Sequence, residues 1–243
     1  MKTSDPNLLL QPQAILLMGP PGGGKTTFML QWPNLWVADC DRNLAGPMRY
    51  LQSIGRYKPF KYDVIPVNDD GTQVPLNLAW QRLRTLTKAA LADSTVQVVG
   101  LDTLTYCDQA LYAHTCRVQG LSDLEGFHWS PYKRELHAFL SECRASGKTV
   151  IVACHEKIEY DKKGNVEKYI PSISTGISNY FGYYFTDIWR CTLEDQGGKV
   201  GLRSKLVTHP TAVSDLKNSL LFGKGDLEAT YEAVRPFIEG PKT

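Results

Sequence analysis

Nearly unbroken apolar runs at residues 14–18, 35–38, 96–101 and 149–154 recur along the chain, with room between them for connecting helices. A run that is apolar on both faces suits a strand covered from either side, as in parallel sheets. Between the runs, Leu76, Ala79, Leu83, Leu86 and Ala90 recur at helical spacing, as do Leu136, Phe139, Leu140 and Cys143. Residues 103–117 read as a further helix. Pro131 begins the helix that follows at a favoured first-turn position, and Gly147 closes it. A short helix starting near Lys25 is finished by residues 28–32 and ended by Pro33-Asn34, and a short strand is expected at 64–67.

Beyond residue 156 the period changes. Residues 158–170 read as a hairpin turning at Lys163-Gly164-Asn165, and 187–193 and 200–207 as two strands around a turn at 194–198. The aromatic cluster Tyr180-Phe181 and Tyr183-Tyr184-Phe185 is expected in the core. An amphipathic helix over 226–238, capped by Asp226, ends the chain. The pattern predicts an α/β fold: a mainly parallel central sheet flanked by helices, with a C-terminal antiparallel extension. A polar tail, 1–13, precedes a single domain, 14–243.

Composition narrows this little. A chain of 243 residues with 42% hydrophobic and 21% charged content suits one elaborated α/β domain. No apolar run approaches the ~20 residues that span a bilayer, so no membrane partner is expected. Residues 1–13 lack a basic stretch followed by an apolar one, which makes the cytoplasm the expected compartment. Six cysteines without a C-x-x-C pair read as buried free thiols rather than disulfides or a zinc site. A net charge of +2 and a pI near 8.1 neither demand nor exclude nucleic acid.

The candidate chemistry lies at the ends of the apolar runs. Gly19-Pro20-Pro21-Gly22-Gly23-Gly24-Lys25-Thr26 directly follows the first run and fits G-x-x-x-x-G-K-[ST]. Glycines let backbone N–H groups close around phosphate oxygens, Lys25 reaches the β- and γ-phosphates, and the Thr26 hydroxyl holds Mg²⁺. Thr27 continues into a helix whose N-terminus adds partial positive charge. A Gly/Pro turn with a solvated lysine is the alternative, and it requires both the motif and the strand before it to be accidental.

Asp39-Cys40-Asp41 stands where the second run stops, with helix capping before Asn43-Leu44 as the competing role for either carboxylate. Asp102 ends the third run, where a carboxylate steadies the water shell of Mg²⁺. His155 ends the fourth, where a polar side chain beside the phosphate loop can sense the γ-phosphate and pass that state onward. The segment it would signal to, 156–170, holds four lysines and four acids, so it is no plain basic patch. Tyr160 and Tyr169 within it can stack on bases or pack on the sheet.

This order of motifs resembles the RecA-like branch of the P-loop ATPases. Within that branch it is similar to the short single-domain ATPases of bacteriophages that act in single-strand annealing or recombination. The likeness covers about residues 14–219. It is carried by Gly-Pro-Pro-Gly-Gly-Gly-Lys-Thr-Thr at 19–27, Leu101-Asp102-Thr103-Leu104, Phe127-His128-Trp129 before a helix, and Val152-Ala153-Cys154-His155-Glu156 after it. The resemblance implies ATP and Mg²⁺ as cofactors, single-stranded DNA as partner, and head-to-tail assembly into a ring or filament. It also suggests a single-strand-binding protein as a further partner, and the host cytoplasm if the chain is phage-encoded.

Family members activate the attacking water with the Glu of Asp-Ala-Glu. Here Asp41 takes that place with Asp39 as its rival, one methylene shorter in reach. His155 corresponds to the γ-phosphate sensor. Two DNA-facing loops are implied, 119–130 with Phe127, His128 and Trp129, and 156–170 with Lys157, Tyr160, Lys162, Lys163, Lys168 and Tyr169. A cation acting on a neighbour's nucleotide would be Arg203, Lys205 or Lys217, although Lys217-Asn218-Ser219 lacks the arginine of the Lys-x-Arg pair found in relatives. Two other readings stay open: a small-molecule or nucleotide kinase in which Asp39 deprotonates an acceptor, and a nucleotide-dependent switch or scaffold with little turnover. The first lacks an arginine-rich lid after the fourth strand.

Overall fold

The computed structural model describes residues 13–174, 181–195, 202–211, 214, 216–217, 220–221 and 225–239, the side chains of 195, 202 and 203 excepted. Most of the expected polar tail, Tyr180, the centre of the turn at 194–198 and Asn218-Ser219 lie outside these residues.

The strands are β1 (Ala14–Gly19), β2 (Leu35–Asp39), β3 (Lys61–Val64), β4 (Val98–Asp102), β5 (Thr149–Tyr160), β6 (Val166–Pro171), β7 (Asp187–Asp195), β8 (Leu202–Val207) and β9 (Leu227–Glu228). The helices are α1 (Lys25–Met29), α2 (Ala45–Ser53), α3 (Leu76–Ala92), α4 (Leu104–Gln119), α5 (Trp129–Ala145), α6 (Phe181–Tyr184) and α7 (Tyr231–Ile238). Among the described residues they build one sheet in the order β3-β2-β4-β5-β1-β7-β8-β9, with β6 paired to β5 alone. From β3 to β7 every junction is parallel. Strands β6, β8 and β9 pair antiparallel. Strand β5 lies between β1 and β4, so the phosphate loop and Asp102 start from strands separated by one other.

The unbroken apolar runs are explained by a core on each face of the sheet. Leu16, Met18, Val99 and Leu101 face α3, α4 and α5, where Trp80, Leu111, Tyr132 and Phe139 are buried. Ile15, Leu17, Val37 and Ile151 face α1 and α7, with Phe28, Trp32, Tyr231 and Val234. All six cysteines are buried and unbonded. No helix among the described residues is long and apolar enough to cross a membrane.

Four boundaries differ from the pattern. The edge strand is Lys61–Val64 rather than 64–67, and its side chains are largely outside the core, which weakens an apolar signal. Helix α5 begins at Trp129, so Pro131 is its third residue, still within the turn whose N–H groups need no intrahelical partner. The C-terminal helix starts at Tyr231 with Thr230 as its cap, accepting from the Ala233 N–H at 3.2 Å. Asp226 instead pairs with Lys205 and His209. Lastly, the fourth run and the first arm of the hairpin are one strand, β5, which outruns the parallel sheet and pairs with β6. His155 therefore sits inside a strand, not at a strand tip. In the aromatic cluster, Phe181 and Phe185 are buried as expected, whereas Tyr183 is exposed.

Candidate nucleotide site

Strand β1 delivers Gly19 with φ 151°, and Gly24 turns into α1 with φ 94°, both in the region that side chains avoid. A Cβ on Gly19 would overlap the Cys191 carbonyl of β7, and one on Gly24 would overlap the Ser204 hydroxyl of β8. The loop thus wraps tightly because two C-terminal strands form its back wall. This is a reason for glycine independent of any ligand. Helix α1 is only five residues long, so the amides of the loop, more than a helix dipole, supply the partial positive charge here.

Lys25 is 5% exposed, and its Nζ donates to the Gly19 and Pro20 carbonyls, each at 2.8 Å. Burial lowers its pKa. Across the cleft the Thr26 hydroxyl donates to Asp102 Oδ2 at 2.7 Å. Burial pushes the Asp102 carboxyl up to about 6, against the opposing pull of the Thr26 hydrogen bond. Hydroxyl and carboxylate oxygens are hard donors that suit Mg²⁺. No group of three or more His, Cys, Asp or Glu side chains that could hold a metal ion occurs among the described residues.

Lys25, Thr26 and Asp102 line a cavity of about 250 Å³ together with Pro21, Gly22, Gly23, Gly24, Thr27, Asp41, Asn43, Pro47, Thr103 and His155, whereas Gly19 and Pro20 do not line it. Asp41 approaches His155 over this cavity, Oδ2 to Nε2 at 3.5 Å. Asp39 lies elsewhere: it is 4% exposed, accepts from the Asn43 N–H at 3.3 Å, and lines a neighbouring cavity with Arg42 and Arg49. Burial raises its pKa. Of the two carboxylates ending β2, only Asp41 lines the same cavity as Lys25, because the chain turns at Cys40, whose thiol rests 3.8 Å from that of Cys107.

The other predicted residues are spread more widely. Lys205 is engaged by Asp226 and Glu194, and Lys217 donates to the Gly182 and Phe185 carbonyls, so both are tied within their own chain. Arg203 lies on β8 beside Ser204, which abuts the loop. Phe127 is 79% exposed on a single turn of 3₁₀ helix and stacks against His128, while Trp129 packs on Tyr112 and Tyr132. On the hairpin, Tyr160 is exposed along with Lys162 and Lys163, and Lys157 and Lys168 are half-buried. Tyr169 is covered by Arg190, its ring centroid 3.7 Å from the guanidinium carbon.

Sequence reasoning missed Asn43, Pro47 and Thr103 in the cavity wall. Thr103 could have been found from its place directly after Asp102, where it also caps α4 by accepting from the Tyr106 N–H at 3.4 Å. It also missed Arg190, for which no local signal exists.

No curated protein matches the chain. A solved structure with a similar backbone is a KaiC-like protein from the hyperthermophilic archaeon Pyrococcus horikoshii, 12% identical over 90% of each chain with a TM-score of 0.43. The family described as an AAA domain matches residues 11–219, a span that takes in the phosphate loop, Asp41, Asp102 and His155. The chain belongs to that AAA domain family and is a P-loop ATPase.

Proposed function

We propose that this ATPase hydrolyses Mg²⁺-bound ATP and uses the cycle to alter its grip on single-stranded DNA, in phage-type recombination or strand annealing. One observation carries the reading: β5 runs without a break from His155 in the nucleotide cleft into a hairpin bearing exposed Tyr160, Lys162 and Lys163. A rigid element shared by two sites is what coupling between them requires.

In this scheme the loop amides and Lys25 bind the phosphates, and Thr26 and Asp102 hold the metal. Bound Mg²⁺ neutralises charge that develops on the phosphates. Asp41 accepts a proton from the attacking water, with His155 across the cavity orienting the two. Tyr160 and Phe127 offer exposed rings for stacking, and the lysines draw in the backbone. Lys205 and Lys217 are engaged within the chain, and Arg203, Lys205 and Lys217 are the candidates for a cation that would act on a neighbour's nucleotide in a ring or filament. The compartment would be the cytoplasm, that of the host for a phage protein, with a single-strand-binding protein as a further partner.

The test is ATP turnover with and without single-stranded DNA, and with a panel of small hydroxyl acceptors, alongside sedimentation of the protein with each ligand. DNA-stimulated hydrolysis and nucleotide-dependent assembly are expected, and Asp41→Asn should keep nucleotide binding while losing turnover. Normal hydrolysis by Asp41→Asn would refute the base assignment. ADP release that depends on an acceptor would move the function to a kinase, with Asp39, Arg42 and Arg49 lining the cavity next to the cleft. Tight binding without turnover would make the chain a nucleotide-dependent switch.

A further inference from the structure

His155 and Glu156 are successive residues of β5, so their side chains leave opposite faces of the sheet. His155 enters the nucleotide cleft, whereas Glu156 shares the opposite face with Cys154. There Arg190 of β7 takes the carboxylate with both arms: Nε and Nη2 each donate to a separate oxygen at 2.7 Å. The Glu156 side chain is 5% exposed, and that of Arg190 19%. Strand β1 runs between the two partners, with Met18 opposite Arg190 and Gly19 opposite His155. The ion pair therefore bridges the last residues before the phosphate loop.

The backbone of His155 is held as well. Its N–H donates to the Thr105 hydroxyl at 3.2 Å, and its carbonyl accepts from the Ser172 N–H at 2.7 Å. The guanidinium also lies on the ring of Tyr169, which belongs to β6 and pairs with Ile158 across the hairpin. A two-point, largely buried pair fixes angle as well as distance, so movement of the hairpin root is felt at the carboxylate.

We infer that Arg190 is a positioning residue for hydrolysis: acting through Glu156, it holds β5 so that His155 stays aimed across the cleft at Asp41. Tyr169 joins the hairpin to the same clamp, so a ligand that displaces the hairpin re-aims His155. This rests on the proposed part of His155 in turnover. Arg190 itself does not line the cleft, so it acts on the rate and not on nucleotide affinity.

The experiment compares single-turnover ATP hydrolysis and the Kd of a fluorescent ATP analogue in wild type, Arg190→Met, Arg190→Lys, His155→Ala and the His155→Ala/Arg190→Met double variant. Arg190→Met should be about 10- to 100-fold slower with Kd changed by less than about twofold, the signature of a misplaced group. Arg190→Lys, which cannot reproduce the fork, should fall between. In the His155→Ala background the second substitution should cost nothing further. Equal losses in both backgrounds, or undiminished turnover in Arg190→Met, would overturn the inference. Should Arg190→Met fail to fold by thermal melting, Tyr169→Leu takes its place: slower turnover at unchanged Kd supports the inference, and wild-type turnover overturns it. No turnover in the wild type would remove the functional reading and this inference with it, whereas normal turnover in His155→Ala would overturn this inference alone.

Discussion

Asp102 is 3% exposed, and burial drives its carboxyl to about 6 from the ordinary 3.8, so the folded chain holds its proton more tightly than the unfolded one. Stability contributed by this group is therefore present at low pH and lost as pH rises through that window, a difference of about 3 kcal/mol if the shift acts alone. Asp102→Asn cannot titrate. Urea unfolding of the ligand-free proteins should show the variant gaining on wild type between about pH 4 and pH 7, and a gap that ignores pH would contradict the assignment. In the proposed scheme the charged form is the one that steadies Mg²⁺, so Mg²⁺-nucleotide affinity should weaken below about pH 6 more in wild type than in Asp102→Asn. If Lys25 holds phosphate as proposed, Lys25→Ala should weaken nucleotide binding about 10- to 100-fold by calorimetry. Gly24→Ala should lose both binding and stability. Adding Ser204→Gly should return part of the stability and no more, because it clears the overlap but leaves the left-handed φ.

At the scale of elements, α7 has a threonine cap and β5 an unusual length. Thr230 accepts from the Ala233 N–H at 3.2 Å, so Thr230→Ala should cost about 1 kcal/mol in urea unfolding and Thr230→Ser much less. A cap at Asp226 would have put that sensitivity four residues earlier. The helix was legible from its apolar face, but its start was not, since Asp and Thr are both good caps and only contact with Lys205 removes Asp226 from the choice. The length of β5 was hidden for a related reason. Its first half is apolar on both faces and its second half alternates, which reads as two strands in sequence although the backbone needs no break between them.

For the whole molecule, the C-terminal segments are part of the nucleotide site. Strands β7 and β8 back the phosphate loop, and α7 packs on the turn that ends the helix the loop feeds: Tyr231 lies 5.1 Å from Trp32 between ring centroids, and its N–H donates to Gln31 Oε1 at 3.4 Å. Tyr231→Ala should therefore cost about 3 kcal/mol of stability and also weaken nucleotide binding, an effect a remote tail would not have. The glycine loop, its lysine and threonine, and the carboxylate ending a buried strand were readable from sequence because each is set by neighbours in the chain: a strand must stop, glycine must turn, an acid must follow. So was the mainly parallel sheet, since burial on both faces leaves an unbroken apolar run. The choice of Asp41 over Asp39 for the cleft, the tethering of Lys205 and Lys217, and the Arg190–Glu156 clamp were decided only by folding. Those contacts join residues from separate strands, and no periodicity along one strand records which side chain another will meet.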